Sequence, residues 1–166
     1  MKRHNIYLPM AAMILTAALA DPAAAQQQVP FKGTFQGSDT TSPGPSPTTG
    51  FLRTTASGHG TLLGRFSFTQ DLTLNFANFT DTGSAQWTAA NGDILYTTVV
   101  GSATPGDVVF TVTEIHIITG GTGRFSGAQG SFTVQRTHVV ALSEDGTHVT
   151  FGSIHDGTIT PPGAAH

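Results

Sequence analysis

From Phe51 onward the chain alternates apolar and polar positions with period two, the pattern of strands that bury one face. Phe66, Phe68, Leu72, Leu74 and Phe76 share one parity, while Arg65, Ser67, Thr69, Asp71, Thr73 and Asn75 share the other. Beyond the N-terminal segment no stretch carries a 3.6-residue helical period. Thr and Val abound, and branching at Cβ suits both to a pleated, half-buried surface. Asn91-Gly92, between Ser84–Ala90 and Asp93–Ala103, predicts a two-residue type I′ hairpin, whose central residues need positive φ. Pro105-Gly106 precedes a strand over Val108–Thr119, Gly120–Gly130 makes a longer reversal before Ser131–Val140, and Glu144-Asp145-Gly146 a third before Thr147–Ile159. Counting gives seven or eight antiparallel strands in meander order, a set that hides its edges by closing into a barrel.

Two stretches depart from this pattern. Lys2, Arg3 and His4 precede an apolar run from Ile6 to Ala20, and Ala23-Ala24-Ala25 offers small residues to a signal peptidase. The run is shorter than the roughly 20 apolar residues that span a bilayer, so residues 1–25 read as a signal peptide cut after Ala25, in preference to a retained anchor. A periplasmic or secreted protein is expected, not membrane-spanning once cut. In residues 26–50, a first short strand over Phe31–Phe35 is followed by Gln36 to Gly50, nearly all Gly, Ser, Thr, Pro and Asp. Too little apolar area is available there to offset ordering entropy, so a flexible loop is expected. A barrel domain over 51–160 and a tail over 161–166 complete the organisation.

Composition narrows the chemistry. Of 166 residues only seven are Lys or Arg against ten Asp or Glu, for a formal charge of -3, which removes the clustered basic signature of a nucleic-acid binder. The absence of Cys removes disulfides, thiolate metal sites, a cysteine nucleophile and a lipoprotein anchor. An eight-stranded outer-membrane barrel has a similar length but needs two aromatic girdles. After residue 25 only Trp87 and Tyr96 are amphipathic aromatics, and the chain ends in Pro161-Pro162-Gly163-Ala164-Ala165-His166 instead of inside a strand, so a soluble barrel is favoured.

The run Gly120-Gly121-Thr122-Gly123-Arg124-Phe125-Ser126-Gly127-Ala128-Gln129-Gly130 invites a phosphate-loop reading, but Ser126 stands where a dinucleotide fingerprint needs glycine and no helix follows. A tight barrel corner with Phe125 tucked inward as a plug is expected instead. Thr119-Gly120-Gly121-Thr122-Gly123-Arg124-Phe125, followed by Gly127-Ala128-x-Gly130-Ser131-Phe132, resembles the corner of the allene oxide cyclase and dirigent superfamily, and most closely its bacterial secreted branch. Leu63-Gly64-Arg65-Phe66, the Thr88–Asp93 hairpin and the closing strand Gly152–Ile159 extend the resemblance over most of Phe51–Ile159. It implies an all-β, eight-stranded, calycin-like antiparallel barrel with a central apolar cavity, often trimeric. It also implies activities such as cyclisation of an unstable fatty-acid epoxide or steering of phenoxy radicals and quinone methides, without metal or organic cofactor. Where plant dirigent proteins carry Arg in an A-R-G step, this chain has Gln129. No catalytic residue is carried over.

The residues themselves offer one polar constellation. Symmetric pairing about the glycine corner sets residues opposite when their numbers sum to about 250, placing Glu114 opposite Arg136. Their parity includes Phe110, Val112, His116 and Ile118 on one strand and Phe132, Val134, His138 and Val140 on the other. Glu114, Arg136, His116 and His138 are therefore candidate catalytic residues if this face lines a cavity, where low dielectric strengthens the pair. The same residues suit, more readily than catalysis, a structural ion pair with solvated His on the barrel's outside, since structural pairs also perturb pKa values. Spacing supports neither a metal site nor a Ser–His–Asp triad: there is no His-x-His, His-Glu-x-x-His or Gly-x-Ser-x-Gly. Phe66, Phe68, Phe76, Trp87, Phe110 and Phe132 are candidate walls of a ligand cavity, and Tyr96 a candidate hydrogen-bonding group. The functions in view are binding of a small apolar or aromatic molecule, a cyclase or isomerase of a reactive hydrophobic substrate, and a filled structural barrel with no ligand.

Overall fold

The structure, a computed structural model, describes residues 28–142 and 146–160. The expected signal peptide, with its cut after Ala25, and the tail over 161–166 lie outside these residues. Eight strands follow one another: β1 (Val29–Pro43), β2 (Thr49–Gly60), β3 (Gly64–Asn75), β4 (Thr80–Ala89), β5 (Ile94–Thr104), β6 (Val109–Gly121), β7 (Gly130–Leu142) and β8 (His148–Ile159). Each pairs antiparallel with its neighbours, and β1 pairs with β8 to close the barrel. Closure leaves no edge strand unpaired. Among the described residues no helix is long and apolar enough to cross a membrane.

The segment expected to be a flexible loop is mostly strand: β1 runs to Pro43, hydrogen-bonded to β2 on one side and β8 on the other. Its period-two pattern continues past Phe35, but Gly37 and Asp39 take the inward positions instead of apolar residues. Composition therefore resembles a loop where the chain in fact supplies a polar wall to the barrel interior. The turn proper is short, with Gly44 N–H bonded to the Thr49 carbonyl at 3.1 Å and Thr49 N–H to Ser46 at 3.0 Å.

Asn91-Gly92 does form a hairpin turn, but only Gly92 has positive φ, at 87°. Gly92 N–H bonds to the Ala89 carbonyl and Ala89 N–H to Asp93, both at 2.9 Å, which makes a three-residue loop with one left-handed glycine. The glycine corner folds as expected, into a single 3-10 turn over Gly123–Phe125 with Phe125 fully buried.

Meander order puts the β2–β3, β4–β5 and β6–β7 turns at one end of the barrel and the remaining turns at the other. At the first end Leu63 and Phe125 turn inward and, with Phe31, Leu95 and Ile159, plug the barrel. Above them lies a tier of rings. Phe68 and Trp87 have centroids 4.0 Å apart, Phe66 and Phe132 each lie 5.4 Å from Trp87, and Phe35 5.9 Å. These rings pack on one another and fill the middle of the barrel, so the central cavity implied by the family resemblance is occupied by side chains.

Candidate functional site

Between the aromatic tier and the second end, the inward positions become polar. Asp39 (β1), Thr54 (β2), Gln70 (β3), Asp81 (β4), Thr97 (β5), Glu114 and His116 (β6), Arg136 (β7) and Thr150 (β8) are all buried. Every strand contributes, because each carries a polar residue on its otherwise apolar inward parity.

The observed β6–β7 register sets Arg136 opposite Val112 and Glu114 opposite Val134, two residues away from the symmetric pairing expected. A shift of two preserves the face. Glu114 and Arg136 therefore both point inward and meet diagonally, with Arg136 Nη2 donating to Glu114 Oε1 at 2.7 Å. Arg136 Nη1 donates to both oxygens of Asp39, at 3.0 and 3.1 Å, and lies 3.1 Å from Thr54 Oγ1. The Thr54 hydroxyl donates to Asp39 Oδ1 at 2.6 Å, and Gln70 Nε2 to Glu114 Oε1 at 3.0 Å. One guanidinium thus holds two carboxylates, each with a second, neutral donor. These bonds offset much of the cost of burying the charges, while Glu114 Oε2 and Arg136 Nε have no hydrogen-bond partner among the described residues.

The two candidate histidines sit on opposite sides of this pair. His116 stacks on Phe132 with centroids 4.9 Å apart, contacts Thr97 Oγ1 through Nδ1 at 3.0 Å, and points Nε2 toward Glu114 Oε2 at 3.6 Å. His138 lies nearer the second end, with Nδ1 2.6 Å from Asp39 Oδ2 and its ring 4.4 Å from that of His148.

Burial alone would raise the Glu114 carboxyl, but Arg136 and then His116 outweigh it and hold the group at about 2. Asp81 goes the other way. Burial is the main cause, the neighbouring Glu114 charge adds to it, and Arg136 opposes both, leaving Asp81 at about 7. Asp81 is paired with Gly101, which in turn is opposite Glu114, and the missing side chain at Gly101 makes room for the Asp81 carboxyl. Asp81 Oδ1 is buried and has no hydrogen-bond partner among the described residues. Arg136, surrounded by Glu114, Asp39 and Asp81, is held above its ordinary value despite its burial.

A cavity of about 230 Å³ opens at the second end, over this polar layer. Leu52, Leu74, Phe76, Phe79, Phe110 and Val112 are among its walls, and Asp81, Arg136, His138 and His148 also line it. Of the residues picked from the sequence, Phe76, Phe110, Arg136 and His138 border this cavity, while Glu114 and His116 lie behind them. Phe66, Phe68, Trp87 and Phe132 belong to the packed aromatic tier. Tyr96 shares its parity with the exposed Val100 and faces outward, its backbone carbonyl accepting from Thr119 Oγ1 at 3.3 Å.

Asp39, Thr54, Gln70, Asp81, Phe79 and His148 escaped sequence reading. The signal was present for four of them: Asp39 shares the parity of Phe31 and Phe35, Thr54 that of Leu52 and Ala56, Gln70 that of Phe68 and Leu72, and Asp81 that of Ala85 and Trp87. A polar residue in register with buried apolar ones marks a polar tier as surely as Glu114 and Arg136 do. Compared with protein-family models, with curated proteins and with solved structures, the chain matches none.

Proposed function

We propose that this protein is a small-molecule-binding barrel that takes one compact apolar or aromatic compound into the cavity at its second end. The observation that carries this reading is the combination of apolar walls with a few fixed polar groups, the usual make-up of a ligand pocket. Its volume of about 230 Å³ falls below the roughly 300–1,000 Å³ typical of pockets for drug-sized ligands. A single-ring compound fits that space better than a long acyl chain. The floor is preorganised, since Arg136 and His138 are both tied to Asp39. The N-terminal segment supports export to the periplasm or beyond, and the glycine corner supports kinship with the allene oxide cyclase and dirigent barrels.

Titration with a neutral one-ring probe, benzyl alcohol, followed by amide chemical shifts, tests the reading. The expected result is saturable shifts at Leu74, Phe110 and Val112, abolished when Leu74→Trp fills the cavity. Absence of shifts at these residues up to millimolar concentrations of one-ring probes, neutral and charged alike, overturns it in favour of a filled structural barrel.

A second reading, a cyclase or isomerase, is favoured by one observation. Asp81 and Glu114 are neighbouring carboxyls pushed apart to about 7 and about 2, the kind of split that gives one group to proton transfer and keeps the other ionised. On this reading Asp81, which borders the cavity, handles the proton, and Glu114 acts through the surrounding field. A bell-shaped or single-limb activity profile near neutral pH, lost in Asp81→Asn, is the expected signature.

A further inference from the structure

The buried polar layer beneath the cavity holds three carboxyls, Asp39, Glu114 and Asp81, and one guanidinium, Arg136; of these Asp81 and Arg136 line the cavity, together with His138 and His148. Asp39 and Glu114 share the single guanidinium of Arg136, and both terminal nitrogens of that guanidinium are already engaged by them. Asp81 is the third carboxyl of the cluster and has no cation of its own. It is 4% exposed, its Oδ1 has no hydrogen-bond partner among the described residues, and it lines the cavity. Facing it are Glu114 from β6 and Arg136 from β7, with Gln70 from β3 behind Glu114 and the bare Gly101 of β5 beside it. His138, already on Asp39, and His148, with Nδ1 3.1 Å from the Val139 carbonyl, complete the titratable groups around the cavity. A buried carboxyl with no partner costs free energy unless something fills its place. An anionic ligand would lie against Asp81 and find the terminal nitrogens of Arg136 already taken by Asp39 and Glu114. A cationic one would find an acceptor with no protein donor on it and aromatic faces around it, from Phe76, Phe79 and Phe110.

We propose that the ligand of this cavity carries a protonated amine on a small aromatic or alicyclic body, with the ammonium donating to Asp81 and the ring lying among Phe76, Phe79 and Phe110. This deepens the binding reading given above and rests on it. Recognition by Asp81 makes ligand uptake a proton-coupled event. In the empty cavity near pH 6 the Asp81 carboxyl holds its proton, and pairing with an ammonium ionises it, so the proton leaves to solvent.

Calorimetry with three probes of one shape, benzylamine as its ammonium, benzyl alcohol and benzoate, tests this. Benzylammonium is expected to bind about tenfold or more tightly than the alcohol, as befits a charge-assisted hydrogen bond, and benzoate least. Asp81→Asn is expected to bring amine and alcohol to within about threefold of each other. In the unaltered protein at pH 6, two buffers of different ionisation enthalpy should report close to one proton released per amine bound and none per alcohol bound. That readout needs no variant to fold. Equal or tighter binding of the alcohol or benzoate, or amine binding without proton release, overturns the amine inference while leaving the pocket in place. If none of the three probes binds, the pocket reading fails with it.

Discussion

Arg136 and Glu114 are joined at 2.7 Å across β6 and β7, yet neither is the other's cross-strand partner. The bond is diagonal, and it works because Arg136 is long enough to reach past Val134 while also gripping Asp39 of β1 on the far side of β8. Arg136→Met leaves these carboxylates buried without their cation, and the loss of stability is expected to be about 3–5 kcal/mol in urea denaturation. Glu114→Gln keeps the shape and is expected to cost less. The double variant should be more stable than the sum of the single losses implies, with a coupling of about 1–3 kcal/mol. Additive losses would show that the pair is not an energetic unit.

Glu114 sets the acid limb of stability. Its carboxyl is held at about 2, below the ordinary 4.5, so its favourable contribution is present above the ordinary value and is lost as pH falls from about 4.5 toward 2. A stability profile measured between pH 2 and 7 should fall through that window, and Glu114→Gln should flatten the fall. An unchanged limb in the variant would assign acid unfolding to other carboxylates.

Asp81 acts in the opposite sense. Its value is raised from 3.8 to about 7, so the native state keeps a proton that the unfolded chain gives up, and stability declines as pH rises from about 4 to 7. Asp81→Asn cannot ionise and should escape that decline. Near pH 4 variant and parent should be similar, while at pH 8 the variant should be the more stable by roughly 2–4 kcal/mol. A parent no less stable than the variant at pH 8 would show that Asp81 ionises freely in the fold.

The barrel was legible because its strands alternate and its turns carry Gly, Pro and Asn, which constrain the backbone locally. That Glu114, His116, Arg136 and His138 share one face was legible for the same reason, since period two fixes a face even when register is off by two, but parity alone did not say whether that face points inward. Register itself was not legible. It depends on the backbone path through the glycine corner, where Gly120, Gly123, Gly127 and Gly130 all have positive φ. β1 beyond Phe35 was missed because the test for a strand was an apolar inward face, and here that face is Gly37 and Asp39. The filled centre could not be read from parity, which places Phe66, Phe68, Trp87 and Phe132 inside but does not say whether rings from opposite walls meet. Ring size against barrel diameter decides that, and it is a property of closure.

Glycines opposite the rings show how closely the middle is filled. Gly152 pairs with Phe35, and a Cβ there would run into the Phe35 ring, while one at Gly58 would lie 2.8 Å from both Phe35 Cβ and Phe66 Cζ. Phe35 has nowhere to retreat, since its ring already lies 5.1 Å from Phe68 and 5.9 Å from Trp87. Gly152→Ala is therefore expected to destabilise the barrel by about 1–3 kcal/mol through overpacking. If the Phe35 ring is the obstacle, the cost should shrink when the same substitution is made in a Phe35→Leu background, although that background is itself weakened by its smaller side chain. Denaturation of the four proteins in this cycle measures the coupling directly. A cost for Gly152→Ala that is the same in both backgrounds would move its origin from the ring to the backbone of β8, and the aromatic tier would then have slack that the packing described above does not contain.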